Sequence, residues 1–383
     1  MTLLQRFAAF TIAALACVAQ AQTPAPALAA RSWLLIDVTS GQTIAGTDAD
    51  RKVEPASLTK LMTAYLAFSA LQQKKLSPDQ RPAVSQAAWK AIGSRMFVDP
   101  AKPATVDELL QGMIVQSGND ASIILAEAIA GSEEAFVQLM NREAQRMGMT
   151  NTQFRNSTGL PDPQHYSTAR DLARLATRLI VDFPQNYGLY SMKEYTYNGI
   201  RQPNRNRLLF IDPSVDGVKT GHTEAAGYCL IASSRREQPG SNGLERRLLS
   251  VVLGAPTEAA RAVESQKLLN YGFQGFDAVR IFSRGQSAGS FQVWKGVAGE
   301  VKAGFDSEVV VSVPRGQAAS VKAEIERIQP LVAPIAQGQR LGVLRVRLGE
   351  QVLFERPLVA LTAVEQAGLI GRAWDSLRLW MSR

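Results

Sequence analysis

The chain has 383 residues, more than one ordinary hydrophobic core accommodates, so two folded domains with terminal tails are expected. Hydrophobic residues make up 46% and charged residues 20%, a balance that excludes a disordered chain and a polytopic membrane protein. The net charge of +8 is not gathered into long basic runs, which argues against nucleic acid as a partner; it suits a polyanionic wall, an anionic membrane surface, or solubility alone.

The first residues, Met1 to Arg6, form a short basic start. An apolar run from Phe7 to Val18 and a small-x-small site, Ala19-Gln20-Ala21, follow. The run is too brief to span a bilayer, so residues 1–21 read as a secretory signal removed after Ala21. Lipidation at Cys17 is the rival, weakened by the Ala14-Leu15-Ala16 approach. Either way the protein works outside the cytoplasm. Without Cys17 the only thiol is Cys229, in the apolar run Tyr228 to Ala232, where a buried and inert cysteine is expected and no internal disulfide can form.

The fold starts near Arg31 with a strand, Ser32 to Asp37, and a turn. Helical periodicity dominates 57–180, in segments Ser57 to Leu71, Thr105 to Val115, Ala121 to Ala130, Glu133 to Met147 and Thr168 to Ile180. Strands Tyr228 to Ser233 and Arg247 to Leu253 and a helix, Glu258 to Tyr271, close this part. Helices enclosed between strands from both ends predict an α+β domain over 30–280, with helices packed on an antiparallel sheet. Short alternating runs separated by glycines then predict a small all-β domain over 285–357. The end, 364–383, is amphipathic: Ile370, Ala373, Trp374, Leu377, Trp380 and Met381 share a face. Arg372, Asp375, Ser376, Arg383 and a misfit, Leu379, lie across from it. It is too polar to span a membrane and suits an interfacial helix; the plainer alternative is a helix docked on its own protein.

Three short motifs carry chemistry. Ser57 and Lys60 stand three apart after Pro55, so the lysine nitrogen can reach the hydroxyl. Serine needs an adjacent base, and lysine can serve if burial and a second cation lower its proton affinity toward neutrality. Alone this pair is weak, since a capping serine and a surface lysine explain it as well. Ser117-Gly118-Asn119 is a short connection between two helices, able to aim Ser117 and Asn119 into a cleft; simple capping by Asn119 is the alternative. Asp216 to Thr223 reads as a strand with Lys219 and Gly221 on one face and Thr220 on the other. Lys219 would supply the field Lys60 requires, and Gly221 would let a substrate backbone pair alongside; an ordinary edge-strand lysine is the bland reading.

Each motif occurs once, in that order, 60 and 102 positions apart, and together they are a strong signal. With Asn156 to Leu160, His165 to Asp171 and Ala226-Gly227-Tyr228, the chain resembles the D-alanyl-D-alanine carboxypeptidases among the low-molecular-mass penicillin-binding proteins. The resemblance covers the whole mature chain and implies a β-lactamase/transpeptidase-like domain, a small C-terminal β domain and an amphipathic membrane anchor. It implies Ser57 as acylated nucleophile, Lys60 as base, Ser117 as proton relay and Asn119 as holder of the substrate amide. Lys219, Thr220, Gly221 and His222 would line the opposite wall, and the N–H groups of Ser57 and His222 would form the oxyanion hole. Arg261 resembles the family's arginine near the substrate's terminal carboxylate. The expected partners are peptidoglycan stem peptides, β-lactam antibiotics and the periplasmic face of the cytoplasmic membrane, with no cofactor and no metal.

Four other readings compete with this one. Gly285-Gln286-Ser287-Ala288-Gly289 matches a nucleophile elbow, but a strand-like run follows it and no histidine comes later than His222. A zinc hydrolase needs clustered ligands, whereas the two histidines, His165 and His222, are 57 positions apart. A β-lactamase uses a glutamate to activate the deacylating water, and none lies between Asn151 and Asp171. A catalytically silent wall-binding scaffold is disfavoured because all three motifs are intact. Carboxypeptidase, endopeptidase and transpeptidase outcomes differ only in which acceptor reaches the acyl-enzyme.

Overall fold

The computed structural model describes residues 24–240 and 243–381, so the segment 1–21 expected to be a secretory signal, Cys17 and Arg383 lie outside it. A five-stranded antiparallel sheet organises the first unit, in the order 42–47, 32–37, 245–255, 227–237, 215–223. The N-terminal strand is thus inserted beside strands that close the unit more than 200 positions later, which ties both ends of the domain into one layer.

The sheet is buried on both faces, and strand alternation divides its side chains between two cores. Leu34, Ile231, Leu249, Val251 and Leu253 face the helical layer, where they join Leu61, Phe68, Ile124, Leu172 and Leu175. Trp33, Leu35, Leu230, Ala232, Leu248 and Val252 face the helix Glu258–Gly275 and meet its Ala262, Leu268 and Leu269. The predicted helices form as Lys60–Gln72, Val106–Gln111, Asn119–Ala130, Glu133–Arg146 and Ala169–Asp182. Thr105 and Glu108 make a reciprocal capping box, and Thr168 caps its helix through the Asp171 N–H. Two departures occur at motif residues. Ser57 lies in a 3₁₀ turn, Ala56–Thr59, ahead of the α-helix, and the helix before Ser117 ends in a π turn, Gly112–Gln116.

In the second unit a six-stranded sheet runs 321–327, 340–348, 351–360, 300–304, 287–294, 331–332, with a separate pair formed by 276–282 and 309–314. Phe291, Val301, Phe305, Val311, Leu341, Leu344, Val346 and Leu358 fill its core. Pairing attaches residues 276–280 to this unit, although helix-to-strand texture alone placed them in the first. The elbow-like serine, Ser287, opens the strand Ser287–Trp294 rather than preceding a helix.

The units are tied by a buried ion pair. Arg246 and Asp37, on neighbouring strands of the first sheet, are both fully buried, with Arg246 Nε donating to Asp37 Oδ2 at 2.7 Å. The remaining Arg246 donors reach the carbonyls of Gly272 and Phe276 at 3.1 and 2.7 Å and Ser312 Oγ, in the second unit, at 3.1 Å. The Ser312 hydroxyl donates to the same Asp37 oxygen, and its N–H donates to Gln42 Oε1 at 2.7 Å.

Among the described residues the terminal helix spans Leu369–Met381, starting later than the predicted 364. Val364 is buried and bridges to Ile335, so the stretch before Leu369 belongs to the β unit. Asp375 Oδ2 accepts the Lys295 N–H at 2.6 Å, and Leu379 lines a groove together with Phe291, Trp294, Ile328, Pro330 and Leu331. The misfit leucine is therefore on the docked side, while Ile370, Trp374, Leu377, Trp380 and Met381 all face outward. Among the described residues no helix is long and apolar enough to cross a membrane.

Candidate active site

The three motifs meet in a cleft of about 360 Å³ between the helical layer and the edge strand Val215–Thr223. Ser57, Ser117, Asn119, Thr220, Gly221, His222 and Arg261 line it, joined by Ser94, Thr158, Arg205 and Glu258. Lys60 and Lys219 are buried beneath this surface, at 1% and 3% exposure.

A 3₁₀ turn places side chains at i and i+3 almost directly above one another, and this brings Lys60 Nζ to 3.1 Å from Ser57 Oγ. The residue before the nucleophile, Ala56, has φ +47°, a strained left-handed conformation of the kind concentrated at functional sites. Lys60 Nζ also donates to Asn119 Oδ1 at 2.7 Å and to the Thr158 carbonyl at 2.6 Å. Both are acceptors only. A neutral amine has two hydrogens, and these two oxygens take both, leaving its lone pair for the Ser57 hydroxyl. Asn119 is held in this orientation because its Nδ2 donates to the Ile92 carbonyl at 2.6 Å.

Burial first and then the Arg205 guanidinium lower the Lys60 pKa, against the opposing Asp120 carboxylate, to about 7. The sequence pointed to Lys219 as the second cation; Arg205, which no motif contains, acts on Lys60, and Lys60 and Lys219 are coupled to one another. Lys219 is itself pushed well below the ordinary lysine value by burial and then by Lys60, Arg205 and Arg261. Of two coupled buried lysines, the one that gives up its proton first exerts no field on the other.

Thr158 owes its position to an Asx turn: Asn156 Oδ1 accepts from the N–H groups of Thr158 and Gly159 at 3.2 and 2.7 Å. Thr63 Oγ1 donates to the Ser157 carbonyl at 2.7 Å, and Glu133 Oε1 accepts the Ser157 N–H at 2.8 Å. Gly159, at φ +85°, passes so close to the nucleophile turn that a Cβ there would fall 1.8 Å from the Ala56 carbonyl oxygen. Opposite, a Cβ on Gly221 would stand 3.2–3.3 Å from Pro55 O, Ala56 Cβ and Leu58 Cγ, so glycine lets the edge strand approach the serine. Because this strand is an edge, its main chain borders the cleft and Thr220, Gly221 and His222 all line it, which side-chain alternation alone does not foresee.

Ser117 sits at φ +67°, buried, with its Oγ unpartnered and the residue lining the cleft. Asp120, next to the motif, accepts the N–H groups of Met96, Phe97 and Val98 at 3.0, 2.8 and 3.2 Å, fixing the loop that carries Ser94. Arg205 reaches into the cleft and donates to Ser94 Oγ at 2.7 Å. Arg261 packs over the Tyr228 ring, 5.6 Å to its centroid, and pairs with Glu258 at 2.9 Å. Sequence reasoning missed Thr158, Arg205, Ser94 and Glu258. Thr158 and Glu258 stood in singled-out stretches, but the Thr158 contribution is a carbonyl, invisible to any reading of side chains.

His165 lies behind the nucleophile helix: its Nε2 and Thr59 Oγ1 are 2.9 Å apart, and its buried Nδ1 has no partner. Burial lowers its proton affinity to about 4. Cys229 is free and buried. Among the described residues no three His, Cys, Asp or Glu side chains are grouped so as to hold a metal ion.

Helices on an antiparallel sheet, with a serine and a buried lysine facing a lysine-bearing edge strand, define the penicillin-interacting class of serine enzymes. The chain belongs to the D-alanyl-D-alanine carboxypeptidase family, whose model matches residues 18–257, and residues 276–366 match the C-terminal domain of penicillin-binding protein 5. It is 42% identical to D-alanyl-D-alanine carboxypeptidase DacC of Escherichia coli, over 96% of this chain and 92% of that one. Penicillin-binding protein 5 of Haemophilus influenzae superposes with a TM-score of 0.82 at 38% identity, over 90% of this chain and 99% of the other. Penicillin-binding protein D2 of Listeria monocytogenes in its ampicillin-bound form superposes with a TM-score of 0.59 at 30% identity, over 65% and 99% of the two chains.

Proposed function

We propose that the protein is a serine-type D-Ala-D-Ala carboxypeptidase that removes the terminal D-alanine of peptidoglycan stem peptides through an acyl-Ser57 intermediate. The observation that carries this is the Lys60 amine, buried, lowered to about 7, with both hydrogens committed elsewhere and Ser57 Oγ at 3.1 Å. Ser57 gives its proton to Lys60 Nζ as Oγ attacks the carbonyl carbon of the penultimate D-alanine. The oxyanion is held by the N–H groups of Ser57 and His222. Ser117, its hydroxyl unpartnered and lining the cleft, relays the proton to the leaving D-alanine amine, and water then releases the acyl group. Asn119, Lys219, Thr220 and Gly221 hold the substrate as an added strand, and Arg261 with Arg205 receives its terminal carboxylate. A β-lactam enters the same route and remains on Ser57; no cofactor takes part.

Incubation with a peptide ending in D-Ala-D-Ala tests this. Free D-alanine is expected, with Ser57→Ala inert yet folded; cross-linked product in place of hydrolysis would make the enzyme a transpeptidase.

We infer further that the mature protein is exported and lies on the periplasmic face of the cytoplasmic membrane, bound through the terminal helix. The outward Trp374, Trp380, Leu377 and Ile370 with flanking Arg372 and Arg378 support this reading. Removing 369–383, which spares the buried Val364, should abolish binding to anionic vesicles without loss of peptidase activity. Undiminished binding would count against the anchor.

A further inference from the structure

Four basic side chains converge at the cleft, Lys60, Lys219, Arg205 and Arg261, and the other three all act on Lys219. One acid, Glu258, is present among the residues that line the cleft. It occupies the first position of the helix Glu258–Gly275, after its capping residue Thr257, where the helix N-terminus favours an anion. Its Oε1 accepts from Arg261 Nη2 at 2.9 Å. The two partners are unequally free. The Arg261 side chain is 6% exposed, lies over Tyr228 and donates to the Arg205 carbonyl at 3.4 Å, whereas the Glu258 side chain is 53% exposed. The Glu258 charge also acts on Arg205, so one mobile carboxylate offsets both guanidinium groups.

We propose that Glu258 is the resting counter-ion of this cleft: the terminal carboxylate of the substrate replaces the Glu258 carboxylate on Arg261. This rests on the reading of Arg261 as the receptor for that carboxylate. A fixed arginine exchanging one carboxylate for another loses no hydrogen bond when the right ligand arrives. A ligand ending in an amide offers no such exchange and leaves Glu258 in place. Simple anions must also compete with a carboxylate tethered at contact distance, which keeps an exported, strongly basic cleft from filling with them. Glu258 thus acts through Arg261, tempering the cleft's affinity for carboxylates, rather than as a participant in bond making.

The test compares wild type with Glu258→Gln and Glu258→Asp on a D-Ala-D-Ala peptide and on its C-terminal amide, with acetate as competing anion. Glu258→Gln should lower KM for the free-acid peptide about two- to fivefold, the range expected for loss of a half-exposed ion pair, with no change in kcat. It should leave KM for the amide unchanged and strengthen competitive inhibition by acetate. Glu258→Asp keeps the charge but is too short to reach, so it should lower KM in the same direction. Labelled penicillin on Ser57 reports that each variant is folded. In an Arg261→Ala background the effect of Glu258→Gln should shrink to what its charge does through Arg205. A wild-type KM in Glu258→Asp would reduce Glu258 to a long-range charge and overturn the proposal, as would an effect that persists undiminished without Arg261. Arg261→Ala with an unchanged KM for the free-acid peptide would remove the receptor itself, a separate failure visible before Glu258 is touched.

Discussion

The pH dependence of acylation is where the site geometry makes its sharpest demand. A lysine left at its ordinary 10.5 would be neutral in about one molecule in three thousand at pH 7; lowered to about 7, half of the population is. The acylation rate should therefore climb about tenfold per pH unit below 7 and level off above it, about a hundredfold faster at pH 9 than at pH 5. The perturbation is Arg205→Gln, which removes the cation that acts on Lys60 after burial itself. Lys60 then holds its proton more tightly, so the inflection moves to higher pH. The inflection rather than the plateau is the readout, because Arg205 also lines the cleft. The assay is stopped-flow acylation by a fluorescent penicillin from pH 5 to 10, taken as the second-order rate constant, which reports the free enzyme. A flat profile across that range would remove Lys60 as the base. An inflection that Arg205→Gln leaves in place would assign the whole effect to burial.

Arg246→Ala should cost about 3–5 kcal/mol in urea unfolding, because Asp37 would keep its buried charge without a partner. Arg246→Met with Asp37→Asn should cost much less, and equal losses would show that the pair's charge is irrelevant. His165 is neutral in the folded state down to about pH 4, whereas the unfolded chain takes up its proton near 6.5. Stability should fall as pH drops from 6.5 to 4, by about 3 kcal/mol from this group, and His165→Gln should flatten that slope in acid titrations of unfolding. With no glutamate between Asn151 and Asp171 to activate water, a penicilloyl group should persist on Ser57; rapid steady-state hydrolysis of penicillin would contradict this. Leu379→Ser with Asp375→Asn should free the terminal helix from the β unit while leaving its apolar face intact. Vesicle binding should survive and hydrogen exchange at the Lys295 amide should speed up; unchanged exchange would deny the docking.

Much of this protein is written in local pattern. Period-3.6 and period-2 hydrophobicity located the helices around 60–182 and the strands of both units, because a helix or strand with one buried face must show its period. Motif spacing named Ser57, Lys60, Ser117, Asn119 and the strand that carries Lys219. The terminal segment announced an apolar face, and even its misfit Leu379 was visible as an anomaly, although the groove that receives it was not.

What only the tertiary structure decided are the effects that require distant chain to converge. The Thr158 carbonyl reaches Lys60 across 98 positions, and a backbone acceptor leaves no mark in side-chain sequence. Arg205, which no motif contains, acts on the base, because proton affinity depends on desolvation and through-space charge rather than on motif membership. Arg246 looks like any charged strand residue until its Asp37 and Ser312 partners, 209 and 66 positions away, close around it. A sequence records which side chains are available and how each segment would bury its apolar face; the electric field in a cleft arises only when folding brings those segments together and removes the water between them.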